Sequence, residues 1–306
     1  MKKRIFNLPN LLFLLIFICF FLPSKYAQEM RSGLKSPLVF GIVVLLTEAG
    51  FHYTYTDPKK RTSALDITSF VFGFLLLWEI VVSRLNLLPF VFVPAPENVF
   101  NIFIDDWKMI LLGFVNSMVL IILGMITAGA ASTILGTLVG WNERLTKAIY
   151  PIAKAISTVP ALIYTPYIVL IVPTFRLASL CVIFLSNFWG GFMSSINNTA
   201  FVEKKIINAA KILNLSTPTI LFKIIIPFNT PRLINALPIQ LSTALMTLTV
   251  AEMLGADSGM GFYVRFALNY ANYTKAIAGI IFIGLVVTCL NIGIDAMKKK
   301  LIKWSY

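Results

Sequence analysis

The 306-residue chain has almost no histidine and few cysteines: one His and three Cys. The histidine, His52, closes a hydrophobic run, which suits a structural residue at an interface better than a metal ligand. Cys19, Cys181 and Cys289 all fall inside apolar runs, where a free thiol behaves as a small hydrophobe. Their spacing fits neither a disulfide framework nor a metal site. Acidic residues are scarce too, at 13 against 26 Lys and Arg. They lie mostly in loops and at the edges of apolar runs, and no pair of carboxylates stands at catalytic spacing. No Gly-x-x-x-x-Gly-Lys-Ser/Thr sequence occurs, so the chain has no P-loop to cradle ATP phosphates. Hydrolase and oxidoreductase chemistry, bound metals and cofactors are not expected. An ATP-driven activity needs a second chain.

What the sequence has is apolar length. Hydrophobic residues make up 58% of it, and its mean hydropathy is +0.84. A soluble domain of this size has no interior large enough for that. A bilayer crossing takes about 20 apolar residues. Runs that reach or approach this length lie near Leu11–Pro23, Pro37–Phe51, Ile67–Leu85, Ile110–Gly140, Ala161–Pro173, Leu177–Ile196, Leu233–Val250 and Ala276–Ile294. The expected class is an all-α polytopic membrane protein.

The net charge of +13 follows the same logic. With the N-terminus in the cytoplasm and alternating crossings, the inner pieces hold Lys2, Lys3, Arg4, the Lys59–Arg61 triplet, Arg144, Lys147, Lys154, four lysines between Lys204 and Lys223, and four between Lys298 and Lys303. The outer pieces hold only Lys25, Arg31, Lys35, Lys108, Arg176, Arg265 and Lys275. The positive-inside rule accounts for this bias, and nucleic acid is not an expected partner. Met1-Lys-Lys-Arg before Leu11–Pro23 also has the shape of a signal peptide. No Ala-x-Ala-like site follows Pro23, so an uncleaved anchor is expected. Both termini are predicted to be cytoplasmic.

Between two apolar runs lies a basic loop from Asn197 to about Thr230. Val202–Leu213 has the pattern of a short helix, with Asn214 placed to end it. Asn is the non-glycine residue most tolerant of a left-handed turn. Ser216 or Thr217 then caps a second helix with Pro218 in its first turn, running to Ile226. Within this loop, Asn208-Ala209-Ala210, then Asn214, then Ile224-Ile225-Ile226-Pro227 match in spacing the pattern Glu-Ala-Ala, three residues, Gly, nine residues, Ile-x-Leu-Pro. That is the cytoplasmic loop by which permease subunits of binding-protein-dependent ABC importers hold their ATPase. Asn208, Asn214 and Ile226 replace the family's Glu, Gly and Leu.

Two further stretches extend the resemblance over residues 65–306. Trp78 and then Val93-Pro94-Ala95-Pro96-Glu97-Asn98-Val99-Phe100 resemble Leu-Pro-Ser-Pro-x-x-Val-x of nitrate-, sulfonate- and taurine-type permeases. Ala251-Glu252-Met253-Leu254-Gly255-Ala256-Asp257-Ser258-Gly259-Met260-Gly261 is similar to their Ala-Glu-x-x-Gly-x-x-x-Gly-Leu-Gly. The resemblance implies a type I ABC importer permease fold in a bacterial cytoplasmic (inner) membrane. It implies about six core transmembrane helices over residues 63–306, preceded by an extension, residues 1–62, with two hydrophobic segments. It also implies a separate cytoplasmic ATPase, an extracytoplasmic solute-binding protein, a permease dimer (homo- or hetero-), and a small solute such as nitrate, a sulfonate or a thiamin precursor. Asn208, Ala209, Ala210, Asn214 and Pro227 then form the ATPase-coupling loop, with Thr217–Ile226 as the coupling helix. The alternative for that helix is to lie on lipid headgroups, held by its lysines.

Polar residues within membrane segments tend to face a bundle interior. On that ground Asn187, Gln240, Thr243 and Thr247 are candidate pathway-lining residues, and Asn116 and Ser117 share the pattern. Glu252 is expected to stay solvated or to pair with Arg265. Gly124, Ala128, Ser132, Gly136 and Gly140 recur every four residues, a face that admits close helix contact, either within one subunit or along a dimer seam. An ion-gradient-driven secondary transporter is the main alternative, and it predicts membrane-centred carboxylates or an internal repeat. A membrane-anchored scaffold or enzyme predicts a large extramembrane domain or a catalytic cluster.

Overall fold

The computed structural model describes residues 7–22, 37–89 and 91–301. The charges expected to set the orientation at Lys2, Lys3, Arg4, Lys25, Arg31, Lys35 and Lys303, together with Pro23, lie outside them. Among the described residues there are helices and no strands. Six helices are long and apolar enough to cross a bilayer, or seven if one bent pair makes a single span. This count is of the described residues; of the eight runs read from sequence, the fifth lies in that bent pair and the first is a shorter apolar helix whose flanking residues are outside the described ones. The first forms α1, Leu8–Phe21, of 14 residues. At 1.5 Å per residue the described part reaches about 21 Å.

Residues fall into two compact units, one formed by 1–111 with 264–281 and the other by 112–263 with 282–306. In the first unit, α1 and α2 (Leu38–Tyr55) pack on α3 (Arg61–Trp78). The Phe13 and Phe72 rings lie 6.1 Å apart. Phe40 of α2 stacks on Phe100 of α4 (Pro96–Asp105) at 5.4 Å.

The helix of α3 continues through a widened turn, Glu79–Arg84, which brings four polar side chains together. Ser83 Oγ donates to Glu79 Oε2 at 3.1 Å or to Glu97 Oε2 at 3.0 Å. Arg84 Nη2 lies 2.5 Å from Glu79 Oε1 and 3.7 Å from Glu97 Oε1. Both glutamates are buried. Buried charges need partners of opposite sign, and here one guanidinium serves two carboxyl groups. The Trp78 indole N–H donates to the Pro94 carbonyl at 3.0 Å. This gives the Trp78 and Val93–Phe100 stretches their physical reason: Pro96 starts α4 and its first turn carries Glu97 inward.

The second unit is built on α5 (Trp107–Trp141), α8 (Phe175–Ala200) and α10, a helix of 39 residues from Thr217 to Gly255. The small-residue stripe of α5 is occupied by α8. A Cβ on Gly124 would sit 2.5 Å from Ile183 Cγ2, and one on Gly136 would sit 2.6 Å from Ser195 Cβ. Gly140 abuts the Ile196 carbonyl, and Gly191 of α8 returns the contact against Ser132. Of the two expectations for the stripe, packing within one subunit is the observed one. Met118, Ile121, Ile183, Leu241, Ala244, Leu245, Leu248 and Val286 fill the core, the last from α12 (Tyr273–Leu301).

Between α5 and α8 run α6 (Glu143–Ser157) and α7 (Ala161–Ile171), bent 87° at the Pro160 break. Asn142 caps α6, its Oδ1 accepting from the amides of Arg144 and Leu145 at 3.0 and 3.3 Å.

Candidate functional site

The basic loop folds into one short helix, α9, Lys204–Ile212. Its end is a complete C-cap. Asn214 has φ of 51°. The Asn214 amide donates to the Lys211 carbonyl at 2.9 Å and the Leu215 amide to the Ala210 carbonyl at 3.2 Å. These are the two bonds of a Schellman motif, with Asn in the left-handed position that glycine usually fills. The bend expected at Asn214 is present.

The loop has its own small core. Ala210 is 4% exposed and packs with Val202, Ile220, Leu221 and Ile225, backed by Trp141, Ile206 and Phe228. One position earlier, Asn208 and Ala209 point outward, as do Lys204, Lys205 and Lys211. At the tip, Ile212 is 82% exposed and Leu213 71%. The tip of the loop is thus apolar and exposed, on a helix whose lysines are exposed as well. Among the described residues no group of three metal-ligating side chains forms.

Ser216 starts the next helix as expected, with Pro218 in its first turn. Here the structure departs from the sequence reading. Thr217–Ile226 is not a separate helix but the first part of α10. The backbone passes from Thr217–Ile220 through a widened stretch, Leu221–Ile225, directly into Ile226–Gly255. Pro227 lies in the first turn of that last piece and is exposed. Pro227 breaks the ladder, but a proline need not end a helix. An i→i−5 pitch just before it relieves the clash of its ring with the Lys223 carbonyl. The free-standing helix of the loop is therefore α9.

The candidate pathway residues divide into two groups. Asn187 and Thr247 are buried on α8 and α10 and meet through Ser186. Ser186 Oγ lies 3.4 Å from Thr247 Oγ1 and 3.5 Å from Asn187 Nδ2. Most of their bonding is nevertheless spent on their own helices. Asn187 donates to the Ile183 carbonyl at 3.1 Å and Thr247 to that of Thr243 at 2.9 Å. Thr243 bonds back to Ile239 at 3.0 Å. Gln240 stands elsewhere, on the wall of a groove of about 490 Å³ between α5 and α10, lined also by Gly129, Ser132, Thr133, Phe222 and Ile234.

Glu252 is neither solvated nor at an exposed helix end. It is 1% exposed, and it accepts from Ser117 Oγ at 2.6 Å and from the Gly261 amide at 2.7 Å. Sequence reasoning missed this pairing because its members lie 135 residues apart. Asn116 and Ser117 in an apolar run were the signal that a buried acceptor waits elsewhere.

Residues 131–304 match the family described as binding-protein-dependent transport system inner membrane component. A Bacillus subtilis protein named for aliphatic sulfonates transport, the permease SsuC, is 26% identical over 182 residues, 60% of this chain and 66% of SsuC. The nitrate import permease protein NrtB of Leptolyngbya laminosa is 28% identical over 168 residues, 55% of this chain and 60% of NrtB. The chain thus spans less than two thirds of either. The taurine transport system permease protein TauC of Escherichia coli is 25% identical over 260 residues, 81% of this chain and 92% of TauC.

Proposed function

This chain belongs to the family of binding-protein-dependent transport system inner membrane components, and on that footing we propose that it is the permease subunit of an ABC importer. It forms the membrane pathway for a small solute. Two permease chains, identical or similar, enclose that pathway. A separate ATPase docks on the loop around α9, and an extracytoplasmic binding protein delivers the solute. Nitrate, taurine and alkanesulfonates are the first solutes to test, since the relatives are named for them.

The observation that carries this reading is the loop itself. It lies inside the family match and keeps the Ala-Ala, Asn and Pro spacing. It also presents Asn208, Ala209, Ile212 and Leu213 outward. The exposed lysines suit a partner with an acidic rim. Residues 1–62 form, in this proposal, an accessory unit in front of the permease domain, residues 63–306. Asn187, Gln240, Thr243 and Thr247 remain pathway candidates, with Gln240 facing open space. The loop and both termini lie in the cytoplasm.

The deciding experiment is co-purification with the P-loop ATPase encoded beside the gene, followed by ATP hydrolysis assays with the neighbouring binding protein. Stimulated hydrolysis by a stable complex is expected. A chain that transports solute on an ion gradient with no ATPase bound overturns the proposal.

A further inference from the structure

Glu252 sits at the far end of the helix that starts in the loop. α10 is 39 residues long, so at 1.5 Å per residue it reaches about 58 Å. That is well beyond a hydrocarbon core of about 30 Å. A helix of that length is long enough to put Ser216 and Gly255 on opposite faces of the membrane, as the proposed function has them. One end of α10 lies beside α9; the other carries Glu252.

The surroundings of Glu252 form a closed set. Its two oxygens accept from the Ser117 hydroxyl and the Gly261 amide, and Ser117 Oγ in turn accepts from the Met260 amide at 3.0 Å. Met260 and Gly261 open α11, Met260–Asn269. The first amides of a helix have no partner within it, and a carboxylate near them is favoured by the helix dipole. Beside this, Asn116 Nδ2 donates to Ser258 Oγ at 3.0 Å.

The glycines of the stretch have no room for a side chain. Gly259 has φ of 127°, and a Cβ there would sit 2.4 Å from the Glu252 carboxyl carbon. A Cβ on Gly261 would sit 2.4 Å from the Thr249 carbonyl oxygen, and one on Gly113 would sit 2.9 Å from that of Gly259. Ser117 of α5, the Gly261 amide that opens α11 and the last turns of α10 are thus tied through one buried carboxyl, while Gly113 and Asn116 of α5 lie against Gly259 and Ser258 beside it.

We infer that Glu252 is a positioning residue of the transport cycle, a clamp that stays closed so that movement of α10 carries the 256–261 turn and the adjoining segment of α5 with it. This rests on the proposed docking of an ATPase at α9. Within the turn Asp257 is exposed, and the Asn116–Ser258 bond is a single neutral contact.

The test uses the full chain assembled with its ATPase in vesicles, with a cysteine at the exposed Asp257. Its reaction with a membrane-impermeant maleimide, applied from the face opposite α9, is measured with and without Mg-ATP and vanadate. In the otherwise unchanged protein the nucleotide alters the rate. In Glu252→Gln, which keeps the shape and replaces one of the two accepting oxygens with a donor NH2, that difference should shrink at least about fivefold, the lower range for coupled sites. Assembly and basal ATP hydrolysis should persist. Ser117→Ala, which removes one arm of the clamp with little volume change, should shift it in the same direction. An undiminished difference in assembled Glu252→Gln overturns the inference. Failure of the parent chain to bind any ATPase instead overturns the docking proposal on which it stands.

Discussion

The backbone amide of Leu215 donates to the carbonyl of Ala210, closing the end of α9 around Asn214. This bond turns the chain from the exposed tip into α10 and fixes how Ile212 and Leu213 are presented.

Asn214→Gly should therefore be close to neutral, since glycine enters a positive φ without strain. Asn214→Pro should lose the Lys211 bond and impose φ near −65°, at a local cost of about 3 kcal/mol. Recovery of the ATPase on the tagged permease, at equal membrane level, measures both. Full recovery with proline at 214 contradicts the role given to the bend.

Ala209 and Ala210 should part company. Ala210→Leu overfills a packed site and should destabilise by about 1–3 kcal/mol, read as a lower thermal midpoint in detergent. Ala209→Leu projects outward, so the midpoint should hold while ATPase binding weakens. Equal effects on the midpoint would mean that both face the same environment.

Arg84→Ala leaves the carboxyls of Glu79 and Glu97 buried without their cation. Breaking such a set by removing one partner costs about 3–5 kcal/mol. A drop in the thermal midpoint and in membrane abundance is expected. Replacing Glu79 with Gln in the same chain should recover part of it, and no recovery would show that the two positions act independently.

The glycines of α5 offer an internal control. Gly136→Ala places a methyl against Ser195 and the Phe192 carbonyl and should separate α5 from α8, at a cost of about 1–3 kcal/mol. Gly129 has nothing within 4 Å of its added carbon, so Gly129→Ala should be tolerated. Detergent stability of the two proteins, compared side by side, decides it.

Removing residues 2–56 tests the accessory role of the extension. Lys59–Arg61 remain beside α3 and should still hold its start in the cytoplasm. The Phe13–Phe72 and Phe40–Phe100 contacts are lost, so lower abundance is expected. A well-inserted truncation that cannot bind the ATPase makes the extension part of the core.

Periodicity and spacing made the apolar helices, the Asn214 bend and the Ser216 start legible, because each is set by residues within a turn or two of one another. The joining of Thr217–Ile226 to α10 was not legible. Prolines 227, 231 and 238 are local breakers by propensity, and packing along α8 overrides them. The Glu252 clamp was hidden for the opposite reason: its parts are meaningful only after α5 and α10 meet. Glu79, Ser83 and Arg84 lie within six residues, yet the widened turn that gathers them has no sequence signature as strong as a cap.

The prolines of α10 leave a further mark. Pro231 and Pro238 lie inside the helix and have no amide hydrogen to give, so the carbonyls of Pro227 and Ile234 lose their usual donors. Hydrocarbon offers none in exchange. Ile234 lines the groove that also holds Gln240, Ser132 and Thr133. The carbonyls that Pro231 and Pro238 leave over thus give one side of an otherwise apolar helix two acceptors, to be met from outside its own ladder by a side chain, a water or a neighbouring helix.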